Sequence, residues 1–138
     1  HTTVYGMDWL AGLFPGLPRS LPTILFVLAM ATAVLLLALA DVEICRASLI
    51  LMLVQLVFLP GFGRQYCVWP IALGALFPSP GYLLYTLVGA GFLLYWLPDW
   101  NGTWFSAIFW LGWEISALFA SRSRKRNSET PRILLAGA

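Results

Sequence analysis

The sequence predicts an all-α protein, a polytopic transmembrane helix bundle of about five spans with four as the alternative, and three observations lead there. Of the 138 residues, 60% are hydrophobic and only 10% are charged, with a mean hydropathy of +0.82; a soluble domain carries about 25% charged residues. The charges also avoid the middle of the chain. Between Leu21 and Ala120 they are Asp41, Glu43, Arg46, Arg64, Asp99 and Glu114. The uncharged stretches left between them cross, or nearly cross, a hydrocarbon core that needs about 20 residues of helix. A soluble core of this chain length has no room for so much apolar surface.

Proline, glycine and charge divide the chain. Residues 1–21 mix Gly6, Gly12, Gly16, Pro15 and Pro18 with Trp9, Leu10, Leu13 and Phe14, which suits an external interfacial loop with one short helix. Residues 22–120 form the transmembrane bundle. Its first span covers 22–40, opened by Pro22, whose missing N–H costs nothing at a helix start, and closed by Asp41 and Glu43. The second covers 46–59, with Gln55 its one strongly polar interior residue, and Pro60, Gly61 and Gly63 break it. The third, 66–77, is too short to cross alone unless Arg64 and Gln65 sit at the interface or in a cavity. The alternative makes 61–77 re-entrant, leaving four spans and both ends inside. Residues 77–81 read Phe-Pro-Ser-Pro-Gly, a turn; spans at 82–97 and 103–120 follow, separated by a second turn at 98–102.

Residues 121–138 are a basic tail, with Arg122, Arg124, Lys125 and Arg126 directly after a hydrophobic span. By the positive-inside rule they place the C-terminus in the cytoplasm; the sharper reading is a site for anionic lipid head groups. Alternation then puts 98–102 outside, 78–81 inside, 60–66 outside, 41–46 inside and the N-terminus outside. Trp96, Trp100 and Trp104 gather at the proposed external turn as an interfacial belt does. No folded basic surface accompanies the tail, so a nucleic-acid partner is not expected. Cys45 and Cys67 fall near opposite faces on this topology, too far apart for a disulfide, and read as small buried residues. His1 is the one histidine and no zinc spacing occurs, so no metal site is expected. Asn101-Gly-Thr103 matches a glycosylation sequon, a short pattern that arises by chance.

Three further features admit structural readings. Glu114 lies within a span, where an ionised acid costs about 2.5 kcal/mol or more; it is expected to pair with Arg122 or to reach the cytoplasmic interface. Gln55 reads as a hydrogen-bonding link between helices. Gly74, Gly89, Gly91 and Gly112 read as points of close helix approach.

The richest segment is residues 59–70. It holds Pro60, Gly61, Phe62, Gly63, Arg64, Gln65, Tyr66, Trp69 and Pro70 between apolar runs, and irregular backbone at membrane depth survives only in protein or beside a hydrated cavity. The Arg64 guanidinium has the fork geometry for a phosphate. Gln65 offers donors and an acceptor, and Tyr66 and Trp69 can stack on a sugar or a prenyl chain. The competing reading has Arg64 snorkelling to the head groups while the aromatics anchor the interface.

The string PGFGRQYCVWPIAL, residues 60–73, resembles a motif of the form P-G-F-G-x-Q-Y-x-x-W-x-x-P in the later half of GT-C superfamily glycosyltransferases. These are polytopic, mannosyltransferase-like enzymes that use polyprenyl-phosphate sugars. Gly61, Phe62, Gly63, Gln65, Tyr66 and Trp69 fall on the pattern; Pro70 follows the tryptophan too soon, and Arg64 stands where the family is usually apolar. The resemblance covers about a dozen residues. It implies an external site binding the lipid-linked donor through Phe62, Arg64, Gln65, Tyr66 and Trp69, on a backbone shaped by Pro60, Gly61 and Gly63. Phosphate binding by Arg64 is an inference from its chemistry alone. It also implies a catalytic acidic loop far upstream to which nothing here corresponds, Asp8 included, so no catalytic residue is assigned. On this reading the chain is the C-terminal portion of a bacterial inner-membrane transferase. Its partners are then membrane lipids, a polyprenyl-phosphate-linked sugar and the remainder of a larger membrane protein; any cofactor is left open. The competing function is a small non-catalytic membrane subunit built against a larger partner. A transporter is disfavoured by the lack of inverted repeats and of several intramembrane charges.

Overall fold

A computed structural model describes Gly16, Pro18 and residues 20–59, 64–94 and 101–136, with side chains at 16, 18, 20–59, 66–94 and 102–121. Among them all regular structure is helical: α1 Leu21–Leu39, α2 Ile44–Phe58, a 3-10 segment Arg64–Val68, α3 Trp69–Gly74, α4 Pro80–Leu93 and α5 Asn101–Ala136. The protein is all-α. One helix, α1, is long and apolar enough to cross a membrane; α2 and α4 are apolar but shorter.

Local chemistry sets the helix ends. Pro22 stands in the first turn of α1, where its lack of an N–H is harmless. Asp41 then takes φ 47°, the left-handed region that aspartate enters more readily than bulky residues. This reverses the chain within a few residues, so α1 and α2 form an antiparallel pair. At the far end of α2, Leu59 is extended (φ −63°, ψ 123°) because Pro60 follows it. Ser79 caps α4, its Oγ accepting from the Tyr82 N–H at 3.2 Å. In sequence the last span closes at Ala120, whereas the backbone of α5 runs on as helix through the basic residues to Ala136.

α2 is the central helix. Leu49, Ile50, Leu53, Val54, Leu56 and Val57 are buried on it, between α1 on one side and α5 on the other. α1 buries only Pro22. α5 turns inward a stripe of Thr103, Ser106, Ala107, Trp110, Leu111 and Glu114, spaced three and one apart as one helix face requires. Its outward positions include Phe105, Phe109, Trp113 and Phe119. Two hydroxyls and a carboxyl therefore point in beside Trp110, while four other aromatic rings point out.

Trp110 locks the remaining elements. It is fully buried, and its ring meets Tyr82 and Tyr85 of α4 at centroid distances of 5.5 and 5.3 Å. Gly74 and Gly81 press on it: a Cβ at Gly81 would stand 2.7 Å from the Trp110 Cα. Gly74 is thus a point of close approach, as expected. Gly89 and Gly112 are not, since a Cβ at either meets nothing within 4 Å, and Gly81, read as a turn residue, carries the contact instead. These contacts also set a depth. The turn between α3 and α4 stands level with Trp110, midway along the apolar part of α5, while a Cβ on Gly102 would lie 3.4 Å from Val88 near the other end of α4. The 3-10 segment and α3 together rise only about 19 Å, from about 2.0 Å and 1.5 Å per residue.

Candidate functional site

The motif segment lies against the second half of α2. Met52, Gln55, Leu56 and Leu59 form one wall of an open cleft of about 290 Å3, and Tyr66, Trp69 and Pro70 form the other. The sequence explains the shape. Leu59 must extend ahead of Pro60, which ends α2, and the chain resumes as tight 3-10 turns before Pro70 seeds α3. Pro70 and Cys67 are buried and anchor the segment, while Tyr66 and Trp69 are 36% and 49% exposed. Their rings meet edge to face at 4.6 Å and 88°, holding an aromatic wall with one open side. The segment is tied from behind: Tyr85 of α4, fully buried, donates its hydroxyl to the Cys67 carbonyl at 2.8 Å. Neither Cys67 nor Cys45 is in a disulfide.

Of the residues expected to bind a donor, Tyr66 and Trp69 are brought to the cleft. Arg64 and Gln65 begin the 3-10 segment that forms its wall, with side chains outside the described residues; Pro60, Gly61, Phe62 and Gly63 lie wholly outside them, as do Asp8, Trp96 and Trp100. Gln55, expected as a link between helices, lines the cleft wall. A signal for this was present, since Gln55 is the one strongly polar side chain inside an apolar helix that ends at the motif.

The charged pair of the described structure stands elsewhere. Arg46 of α2 donates from Nε at 3.2 Å and from Nη2 at 3.0 Å to one Glu114 carboxylate oxygen. The expectation that Glu114 pairs with Arg122 or reaches the interface is corrected: Glu114 is 1% exposed and faces α2, since the stripe that buries Trp110 carries it inward as well. At the opposite end of the same seam, Trp104 donates Nε1–H to the Val57 carbonyl at 3.0 Å. Two buried polar atoms, Thr103 Oγ1 and Trp110 Nε1, have no hydrogen-bond partner among the described residues.

No protein-family model, curated protein or solved structure matches the chain.

Proposed function

We propose that this chain is a membrane-embedded helical module that holds the lipid end of a polyprenyl-phosphate-linked sugar, the donor-binding portion of a glycosyltransferase of the GT-C kind in a bacterial inner membrane. The observation that carries the reading is the cleft itself. It joins an apolar floor from α2 to two half-exposed aromatic rings and one amide, on the same residues that carry the motif resemblance. Such a mixture suits an amphiphile whose hydrocarbon packs on Trp69, Tyr66 and Leu59 while Gln55 hydrogen-bonds its polar group. Arg64, at the head of the segment, supplies the charge that a phosphate needs.

The inside-out distribution of side chains supports membrane placement. Leu39, Ile44 and Leu87 are more than 70% exposed, whereas Thr103, Ser106 and Glu114 are buried. The shallow reach of α3 supports neither five full spans nor four with 61–77 alone re-entrant, but a third arrangement: α1, α2 and α5 cross, and α3 with α4 dips in and returns on the external side. Since such a hairpin adds no net crossing, the C-terminus remains cytoplasmic and the cleft remains external. In the reaction, an acceptor hydroxyl oxygen bonds to the anomeric carbon as that carbon's bond to the lipid phosphate breaks. The phosphate leaves as an anion, and the hydroxyl proton passes to a carboxylate supplied by the rest of the enzyme.

The test is binding of a polyprenyl phosphate to the purified chain in detergent, read by native mass spectrometry. One lipid per chain is expected, with affinity lowered at least about tenfold by Arg64→Ala or Trp69→Ala. Binding that neither change affects would remove the cleft from the donor site. A second reading, a non-catalytic subunit, is favoured by α1, whose face away from α2 exposes Val27, Val34, Leu35 and Leu39 to a neighbour. Co-purification of a larger membrane protein with no polyprenyl phosphate binding would decide for it.

A further inference from the structure

α1 and α5 both pack on α2 but leave between them an apolar groove of about 570 Å3. Leu25 and Ala40 mark its ends on α1, Ile50 and Phe58 lie in its floor, and Ile115 and Phe119 stand on α5. Thr32 is the one polar side chain in the lining. From Leu25 to Ala40 is about 22 Å of helix. Over that length the lining is apolar apart from Thr32, a surface that suits a hydrocarbon chain.

Four basic residues gather at one end. α1 and α5 run in the same direction, since Trp104 meets Val57 while Glu114 meets Arg46, so Ala40 and Phe119 close the same end of the groove. Beyond Phe119 the α5 helix continues, and Arg122, Arg124, Lys125 and Arg126 follow within about 10 Å along its axis. The acidic residues there are Asp41 and Glu43, both exposed, and Glu129 further along α5, while the Arg46–Glu114 pair cancels itself.

From the groove and the basic turns together we infer a binding site for one anionic phospholipid of the cytoplasmic leaflet, with an acyl chain in the groove and its phosphate at residues 122–126. It rests on the membrane placement above but on none of the cleft residues, so its failure is separable from that of the donor site. The test is native mass spectrometry of the purified full chain with dioleoyl phosphatidylglycerol or dioleoyl phosphatidylcholine. One phosphatidylglycerol per chain is expected, retained at least about tenfold better than phosphatidylcholine. The quadruple change R122Q/R124Q/K125Q/R126Q abolishes that preference. Thr32→Trp, at an exposed position in the groove lining, reduces retention of both lipids and leaves binding of a polyprenyl phosphate unchanged. Equal retention of the two lipids, or phosphatidylglycerol retention indifferent to Thr32→Trp, overturns the inference. A dimer that Thr32→Trp dissolves also overturns it, because the groove then belongs to a second copy.

Discussion

Arg46 and Glu114, 68 positions apart in sequence, meet through two hydrogen bonds on a single carboxylate oxygen, with the carboxylate almost fully buried and the arginine side chain 26% exposed. The pair binds α2 to α5 and occupies two of the few charges in the apolar part of the chain. Removing one partner strands the other. Glu114→Ala is expected to cost about 3 kcal/mol, at the low end for a broken buried pair because Arg46 keeps some solvent contact. The double change Arg46→Met, Glu114→Leu is expected to recover most of that loss. A double-mutant cycle from denaturant unfolding in micelles measures both, and additive single losses would deny the coupling.

Glycines on α4 separate cleanly. Gly81→Ala drives a Cβ into the Trp110 backbone, which has nowhere to retreat, and is expected to destabilise by about 1–3 kcal/mol. Gly89→Ala meets open space and is expected to stabilise by about 0.5–1 kcal/mol through helix propensity. Thermal melts of the two variants side by side check the sign of each.

Tyr85→Phe removes the hydroxyl that holds the Cys67 carbonyl. A loss of about 1 kcal/mol is expected, together with a looser aromatic wall, because the 3-10 segment loses its rear tie. Faster hydrogen exchange at residues 66–69 would register the second effect independently of the melt.

Trp69→Ala is expected to leave stability within about 0.5 kcal/mol, since the ring is half exposed, while lowering uptake of a polyprenyl phosphate. Gln55→Leu is expected to weaken the phosphorylated lipid but not the matching polyprenol. Titration of the two lipids against each variant separates the apolar from the polar part of the cleft.

Much of this architecture can be read from residue order. The all-α class follows from how rarely charge interrupts the apolar runs, and helix ends follow from Pro22, Pro60 and Ser79-Pro80, because proline and small hydroxyl side chains act on the backbone within a residue or two. That Tyr66 and Trp69 stand on irregular backbone was also legible, carried by the prolines and glycines around them. What composition could not convey is contact across the bundle. The partner of Glu114, the depth at which the α3–α4 turn stops and the choice of Gly81 over Gly89 all depend on which helix face meets which, and Trp110 decides that from far along the chain. Gln55 lies between these cases: its oddity showed in sequence, but its exposure to the cleft needed the neighbouring segment in place.

The seam between α2 and α5 is held by polar bonds at two places, Trp104 with Val57 and Arg46 with Glu114. They lie ten residues apart on α5, about 15 Å, with apolar contacts between. Apolar surfaces alone would let one helix slip by a turn or roll at little cost, but two fixed points on a rigid rod forbid both motions. α5 therefore behaves as a strut clamped in register, and among the described helices a rearrangement begins most readily with α1, which buries only Pro22.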